Sequence, residues 1–478
     1  MSALLALAPE LVSHIGEHLE NKDIKCLRLT CKQLGSQFEP TILHTLSFDI
    51  NQNMIDVPIS KIQSLASHPS AGASRATRHV VLRSLSPKHN TSTLRAFTSV
   101  DDTLVPVPEP PLPPEVALAE DDMNKYLFNA LVSLKTVENL TWKTEESDEE
   151  WAHIIVLNAI QTWTSLVKLD FSLAHARITI PFHLFPNLRE IVYDEHSRSP
   201  DKSLSTQTTL NLITFMAQSP PGQLTSLAVH REWKNTRTTK ALSLHDLFKD
   251  FPPKSPPLLL RHLGLQNSFV RLDGETIPHL RHLTSLRFFN MSEPCRQPVV
   301  RSGRMGFVKL ATVTDDILEK QSAVGSSLST FWTDLSGQGI YLQEITLNNV
   351  VPGFMDYLSQ YSGLKKLSIS TYLFVTAMET DLSAKQFFGA PLTSHSKSLE
   401  EFHITSTYEG LWCFGHHNLS IIATCKALKM LDISIVSDDL RGGELAQTDR
   451  DPDDIVVSLA FLIVISILFL IAYLRKFY

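Results

Sequence analysis

The side chains best equipped for chemistry gather in two places. Cys413, His416, His417 and Cys425 offer ligand chemistry within one short stretch, CFGHHNLSIIATC. A structural zinc site needs four such donors on a tetrahedron, usually with two of them in a close C-x-x-C knuckle. The stretch lacks that knuckle and runs into an apolar strand or helix, so no metal is expected there. The second cluster is Glu145, Glu146, Asp148, Glu149 and Glu150, just before WAHII. Carboxylates in that position favour the positive end of a helix dipole. It reads as a solvated helix start, not as a catalytic pair. The chain has no G-x-G-x-x-G after a strand, no phosphate-binding G-x-x-x-x-G-K-[ST] loop and no G-x-S-x-G elbow. No cofactor is expected, and the chain does not read as an enzyme.

The whole-chain numbers narrow the classes further. A length of 478 residues suits two or three domains or one elongated array. Hydrophobic residues make up 43%, which is normal for a folded protein. The net charge is -7, so no basic surplus draws the chain to phosphate backbones and nucleic acid is not an expected partner. Five cysteines, Cys26, Cys31, Cys295, Cys413 and Cys425, fit neither a disulfide framework nor a metal site. The start, MSALLALAPELV, lacks the basic region of a signal peptide. A reducing compartment suits that cysteine usage.

The elements that must position any site follow from periodicity. Leu4, Leu7, Leu11, Ile15 and Leu19 fall at helical spacing over 4–19, with Pro9 near the first turn. Asn21 or Asp23 caps a second short helix carrying Ile24, Leu27 and Leu29. Leu34, Phe38, Ile42 and Leu43 extend a third. Residues 44–100 hold the short apolar runs LHTLSFDI and RHVVLRSL around a small-residue loop, SHPSAGASRAT. The run VPVPEPPLPP (105–114) can be neither helix interior nor central strand and reads as a stiff exposed loop.

Beyond it, ten fragments share one grammar: a leucine, about two residues, a second leucine or its equivalent, then alternation. They lie at 131–142, 166–174, 185–195, 224–230, 260–270, 283–290, 342–350, 364–370, 399–405 and 428–434. This is the short-strand half of a leucine-rich repeat, in which alternate side chains point into a solenoid. Residues 149–163 and 208–220 have the apolar spacing of connecting helices, and 290–340 reads as a long insertion. Trp142, Trp163, Trp332 and Trp412 are either interface anchors or core. The expected fold is an α/β solenoid, an irregular leucine-rich-repeat array preceded by a three-helix domain. Its expected parts are 1–45 (helical), 46–130 (first irregular repeats and the 105–114 loop) and 131–440 (solenoid with insertions).

Residues 4–45 resemble the F-box motif. The matching positions are Leu7, Pro9, Glu10, Leu11, Ile15, Leu19, Asp23, Ile24, Leu27, Leu29, Cys31, Lys32 and Leu34, closing in LRLTCKQL. Ala8 intervenes between Leu7 and Pro9, and Leu34 stands where the family places an aromatic residue. The array behind it resembles that of divergent fungal F-box proteins with leucine-rich repeats. The resemblance implies docking to a Skp1-like linker protein, and through it a cullin, by Leu7, Pro9, Glu10, Leu11, Ile15, Leu19, Ile24, Leu27, Leu29 and Cys31. It also implies capture of an unknown protein substrate on the array. The function so implied is that of a substrate-recognition adaptor of an SCF-type ubiquitin ligase. The alternative is a membrane-associated leucine-rich scaffold without a ligase role, its helices merely capping the solenoid.

Residues 455–474, IVVSLAFLIVISILFLIAYL, carry no charge. At 1.5 Å per residue they span about 30 Å, the thickness of a hydrocarbon core. This leads to the expectation of a single-pass C-terminal anchor, with the chain on the cytosolic face of a membrane. If the segment does not insert, the cytoplasm or nucleus is expected.

Overall fold

A computed structural model describes residues 7–69, 72–89, 97–100, 103–106, 112–172, 174–195, 202–231, 243–252, 255–291, 327–371, 377–406 and 409–436. Three short helices come first: α1 (Pro9–Glu17), α2 (Asn21–Arg28) and α3 (Lys32–Leu43). Pro9 occupies the first turn of α1, where its missing N–H costs nothing. The three helices close on Val12, Ile24, Leu34 and Phe38, with Leu19, Leu27, Cys31 and Ile42 packed around them.

Behind the helices the chain alternates strand and helix in two units. The described part of the first lies within Met1–Leu283, and that of the second within Thr284–Glu293 and Val313–Tyr478. In the first unit the strands are β1 (Thr45–Ile50), β2 (His79–Leu85), β5 (Asn139–Lys143), β6 (Lys168–Ser172), β7 (Glu190–Glu195), β8 (Ser226–Arg231) and β9 (His262–Gln266). Each pairs in parallel with the next. A separate antiparallel hairpin, β3 (Phe97–Val100) with β4 (Thr103–Pro106), lies between β2 and β5 in the chain. In the second unit β10 (Ser285–Phe289), β11 (Glu344–Leu347), β12 (Lys366–Ser370), β13 (Glu401–Thr405) and β14 (Met430–Ile433) pair likewise in parallel. Parallel strands need crossover connections, and helices supply most of them. These are α4 (Asp56–Ser67), α5 (Gly72–Ala76), α6 (Pro114–Ser133), α7 (Glu150–Ile160), α8 (Lys202–Gln218), α9 (Leu244–Phe248) and α10 (Ile277–Leu280) in the first unit. In the second they are α11 (Ser327–Gly337), α12 (Pro352–Ser359), α13 (Ala377–Gly389), α14 (Pro391–Ser394) and α15 (His416–Ile422). A cluster of short helices followed by alternating β-α units is a solenoid-like α/β architecture.

Register explains the leucine grammar. In the first unit Leu46, Val80, Leu140, Leu169, Ile191, Leu227 and Leu263 stand side by side across the sheet. Two residues on, Phe48, Leu82, Trp142, Phe171, Tyr193, Val229 and Leu265 form a second ladder. The side-chain period of two sends both ladders to one face, where they are buried. The earlier leucine of each L-x-x-L, such as Leu166, Leu188, Leu224 and Leu260, enters the same core from the turn before the strand. That turn is itself stitched to its neighbour. The Val167 carbonyl accepts both the Arg189 and Glu190 amides, as Gln343 does for Lys365 and Lys366. Each of the ten leucine fragments overlaps one parallel strand, and the two earlier apolar runs contain β1 and β2.

Other expectations meet differences. Helix α5 forms inside the stretch read as a small-residue loop, with the Thr77 amide closing its turn on the Ala73 carbonyl. Part of the proline-rich run forms β4, in a hairpin apart from the main sheet, where a missing ladder donor matters least. Residues 292–326 of the expected insertion lie outside the described residues, while α11 follows directly. Trp142, Trp163, Trp332 and Trp412 are all buried and are core, not anchors. Trp332 packs among Phe288, Phe331, Phe354 and Tyr357, which fills the second unit's interior with aromatic surface.

Candidate protein-interaction surfaces

The N-terminal helices present the clearest unpartnered surface. Helix α1 turns Val12 and Gly16 inward; a Cβ on Gly16 would stand 2.6 Å from Phe38 Cε1, so the glycine lets α1 lie directly on α3. The Gln37 amide donates to the Pro9 carbonyl and ties the start of α1 to α3. With that face fixed, Leu7, Leu11 and Ile15, spaced by four, point away from the core and are 38%, 53% and 38% exposed. Leu29, at the C-terminal cap of α2, is 86% exposed. Single exposed leucines are ordinary, but Leu11 and Ile15 on one short helix, with Leu7 just before it, form a cluster of the kind found on docking surfaces.

The ten residues named for docking therefore divide. Leu7, Pro9, Glu10, Leu11, Ile15 and Leu29 are exposed. Leu19, Leu27 and Cys31 are half-buried against the helical core, and Ile24 is inside it. Leu4 lies outside the described residues.

The open faces of the sheets form a second surface. Residues between the buried ladders lie on the opposite face: Ser47, Val81, Thr141, Asp170, Val192, Ala228 and Gly264, a mixed set, in the first unit; Arg287, Thr346, Ser368, His403 and Asp432, all polar, in the second. Ion pairs cross neighbouring strands, Lys168 with Glu190 at 3.2 Å and Lys366 with Glu401 at 2.9 Å. Burial pushes the Asp170 carboxyl up, against the pull of Lys143, Lys168 and His230.

The acidic cluster behaves differently from a solvated helix start at one position. Glu149 caps α7 and Glu150 lies in its first turn, but Asp148 is fully buried. Its Oδ1 accepts the Leu85 amide at 2.8 Å and its Oδ2 accepts the Glu145 amide at 2.9 Å. His153, also fully buried, places Nε2 3.5 Å from Oδ2. At the edge of this centre Lys88 reaches Glu120 at 2.8 Å and Glu149 at 2.5 Å, and the Trp151 indole donates to Glu149. The Lys88 hydrogen bond holds the Glu149 carboxyl below its ordinary range, with Trp151 adding to it. Asp148 and His153 are sealed from solvent, so they join loops and do not meet a substrate.

The cysteine-histidine stretch does not assemble. Cys413 and Cys425 are buried and neither is in a disulfide, and burial raises the Cys425 thiol to about 11. His416 and His417 are exposed on α15, and the His417 ring hydrogen-bonds the Leu411 carbonyl at 2.9 Å. Among the described residues no group of three or more histidine, cysteine or acidic side chains is placed to hold a metal ion.

Neither a scan against protein-family models nor a search of curated proteins finds a match for this chain. That overturns the identification with F-box proteins bearing leucine-rich repeats: the likeness over 4–45 stays a pattern of residues that no family model takes up. The Skp1-like and cullin partners, which rested on that identification, fall with it. The membrane anchor is corrected as well. Among the described residues no helix is long and apolar enough to cross a membrane. Helix α6, 20 residues long, carries Glu115, Glu120, Asp121, Asp122 and Lys125. Residues 455–474, on which the anchor and the membrane-face location were based, lie outside the described residues.

Proposed function

We propose that the chain is a non-catalytic interaction adaptor, with the N-terminal helices as a docking head and the α/β body as a surface for a captured protein. The observation that carries this is the outward stripe of Leu7, Leu11 and Ile15. Burying a fully exposed side chain of this size is worth about 1.5–3 kcal/mol, and these, already about half covered, would each gain roughly half of that on a partner. The body contributes shape. Read as an irregular leucine-rich-repeat array, its parallel strands offer a broad open face whose side chains can vary without disturbing the buried ladders.

In its narrower form the adaptor recognises substrates for a multisubunit ubiquitin ligase. It would then contribute proximity alone, holding a captured protein near a ubiquitin-loaded enzyme. An exposed apolar cluster on a helical head that has its own small core supports that form.

A pull-down of the full chain with the helical linker subunit of such a ligase tests it, alongside Leu11→Asp/Ile15→Asp. Capture by the unaltered chain, lost in the double variant with its circular dichroism unchanged, supports the ligase form. A folded chain that captures no linker removes the ligase role. Identical capture by both chains overturns the docking head.

A further inference from the structure

Strand β14 ends the second unit's sheet and leaves its core open. It pairs in parallel with β13 and, among the described residues, with no strand on its other side. The two inward ladders finish as Leu367–Phe402–Leu431 and Ile369–Ile404–Ile433. Leu367, Phe402, Ile369 and Ile404 are buried, but Leu431 and Ile433 are only half-buried. Met430 on β14 and Leu419 on α15 are exposed, and Ile435, which follows the strand, is half-buried. A terminal position does not by itself explain this. Strand β1 also pairs on one side only, yet its Leu46, Phe48 and Ile50 are buried, and the helical head directly precedes it.

Stacked repeats bury their apolar faces on one another, so a last repeat needs a polar outer face or a cover. The last strand here keeps the apolar ladder residues of the strands inside the array, and no cover lies among the described residues. The sequence supplies a candidate. Residues 455–474 carry no charge, and their polar side chains are Ser458, Ser466 and Tyr473. The link before them, SDDLRGGELAQTDRDPDD (437–454), is polar and holds the turn signals Gly442-Gly443 and Pro452. Extended, a link of that length reaches about 60 Å, ample for a return to β14. Covalent attachment also favours this run over a free partner or a second copy, since a short tether gives an effective concentration on the order of millimolar. We propose that residues 455–474 turn back and cover the open end of the second unit, burying Leu431 and Ile433. The cover does not depend on the N-terminal helices having a partner.

Two measurements on the full chain test it. In hydrogen exchange, Ile463→Asp/Leu468→Asp should speed exchange over 430–436 about tenfold or more and leave β12 (Lys366–Ser370) unchanged. Leu440→Asp, in the link, should change neither. The second measurement places a photo-cross-linker on the exposed edge, as Met430→benzoylphenylalanine, in an equal mixture of isotope-labelled and unlabelled chains. Cross-links from position 430 into 455–474 of the same chain are expected. This reading uses an unaltered apolar run, so it decides even where the charged run opens the whole unit. Unchanged exchange over 430–436 in the charged variant, or cross-links that miss 455–474, would overturn the cover. Cross-links that join labelled to unlabelled chains would overturn it in favour of a second copy.

Discussion

Asp148 and His153 face each other in the interior of the first unit, carboxylate Oδ2 to imidazole Nε2 at 3.5 Å, with neither side chain exposed. The geometry gives each a structural task. The Arg177 amide donates to His153 Nδ1 at 3.4 Å. The ring also meets Trp142 edge-on at 5.7 Å, so the pair links a sheet ladder to helix α7. Through its other contacts Asp148 holds the end of β2 and the loop before α7.

Asp148→Ala should therefore destabilise the first unit by about 3 kcal/mol, because it leaves the buried Leu85 and Glu145 amides without acceptors. Asp148→Asn keeps one carbonyl oxygen and should cost less. Chemical denaturation of the full chain, read by tryptophan fluorescence, checks both. An Asp148→Ala midpoint equal to that of the unaltered protein would refute the role.

Gly16→Ala tests the close approach of α1 to α3. Intrinsic helix propensity alone would make alanine better by about 1 kcal/mol. The new Cβ would meet the Phe38 ring at 2.6 Å, and overpacking of a fitted core costs about 1–3 kcal/mol. The expected net result is a loss of helical signal from the head at lower temperature. Stabilisation would show that Phe38 can move aside.

His279 sets a pH dependence. It is buried against Phe248 and Phe251, and its Nδ1 accepts the Leu258 amide at 3.0 Å. Burial lowers it to about 4, and burial does the same to His395 in the second unit. Both pKa values lie below the unfolded 6.5, so the unfolded chain binds the proton first. The stability each neutral ring provides is complete above pH 6.5 and is lost as pH falls toward 4, by up to about 1.4 kcal/mol per unit for each ring. Melting midpoints should fall between pH 7 and pH 5. For His279→Gln, which cannot be protonated, the fall should be smaller. An equal fall in that variant would exclude His279 as a source.

Much of the body can be read from the sequence because its information is local. L-x-x-L followed by alternation encodes a turn residue and two inward strand residues, and the ladders Leu169–Ile191–Leu227 and Phe171–Tyr193–Val229 come straight from it. Composition cannot show which one of five neighbouring carboxylates turns inward, since Asp148 is held inside by the Leu85 and Glu145 amides rather than by its own helix. Nor does periodicity show direction. Leu7, Leu11 and Ile15 have the spacing of a core face, yet the space that Gly16 leaves for Phe38 brings the Val12 side in and turns the leucines out.

That reversal gives the sharpest separation of docking surface from core. Leu11 and Ile15 touch solvent, so Leu11→Asp/Ile15→Asp should leave the head folded, with stability within about 0.5 kcal/mol per substitution. Ile24 is 3% exposed and packs with Val12, Leu34 and Phe38. Ile24→Asp places a carboxylate in that core, where no partner waits, and should unfold the three helices. Hydrogen exchange across 9–43 distinguishes the two cases. Protection retained in the Leu11/Ile15 variant and lost in Ile24→Asp is the expected pattern. If the Leu11/Ile15 variant loses protection as well, the stripe is part of the head's own core, and a docking defect in that variant would report unfolding rather than a lost contact.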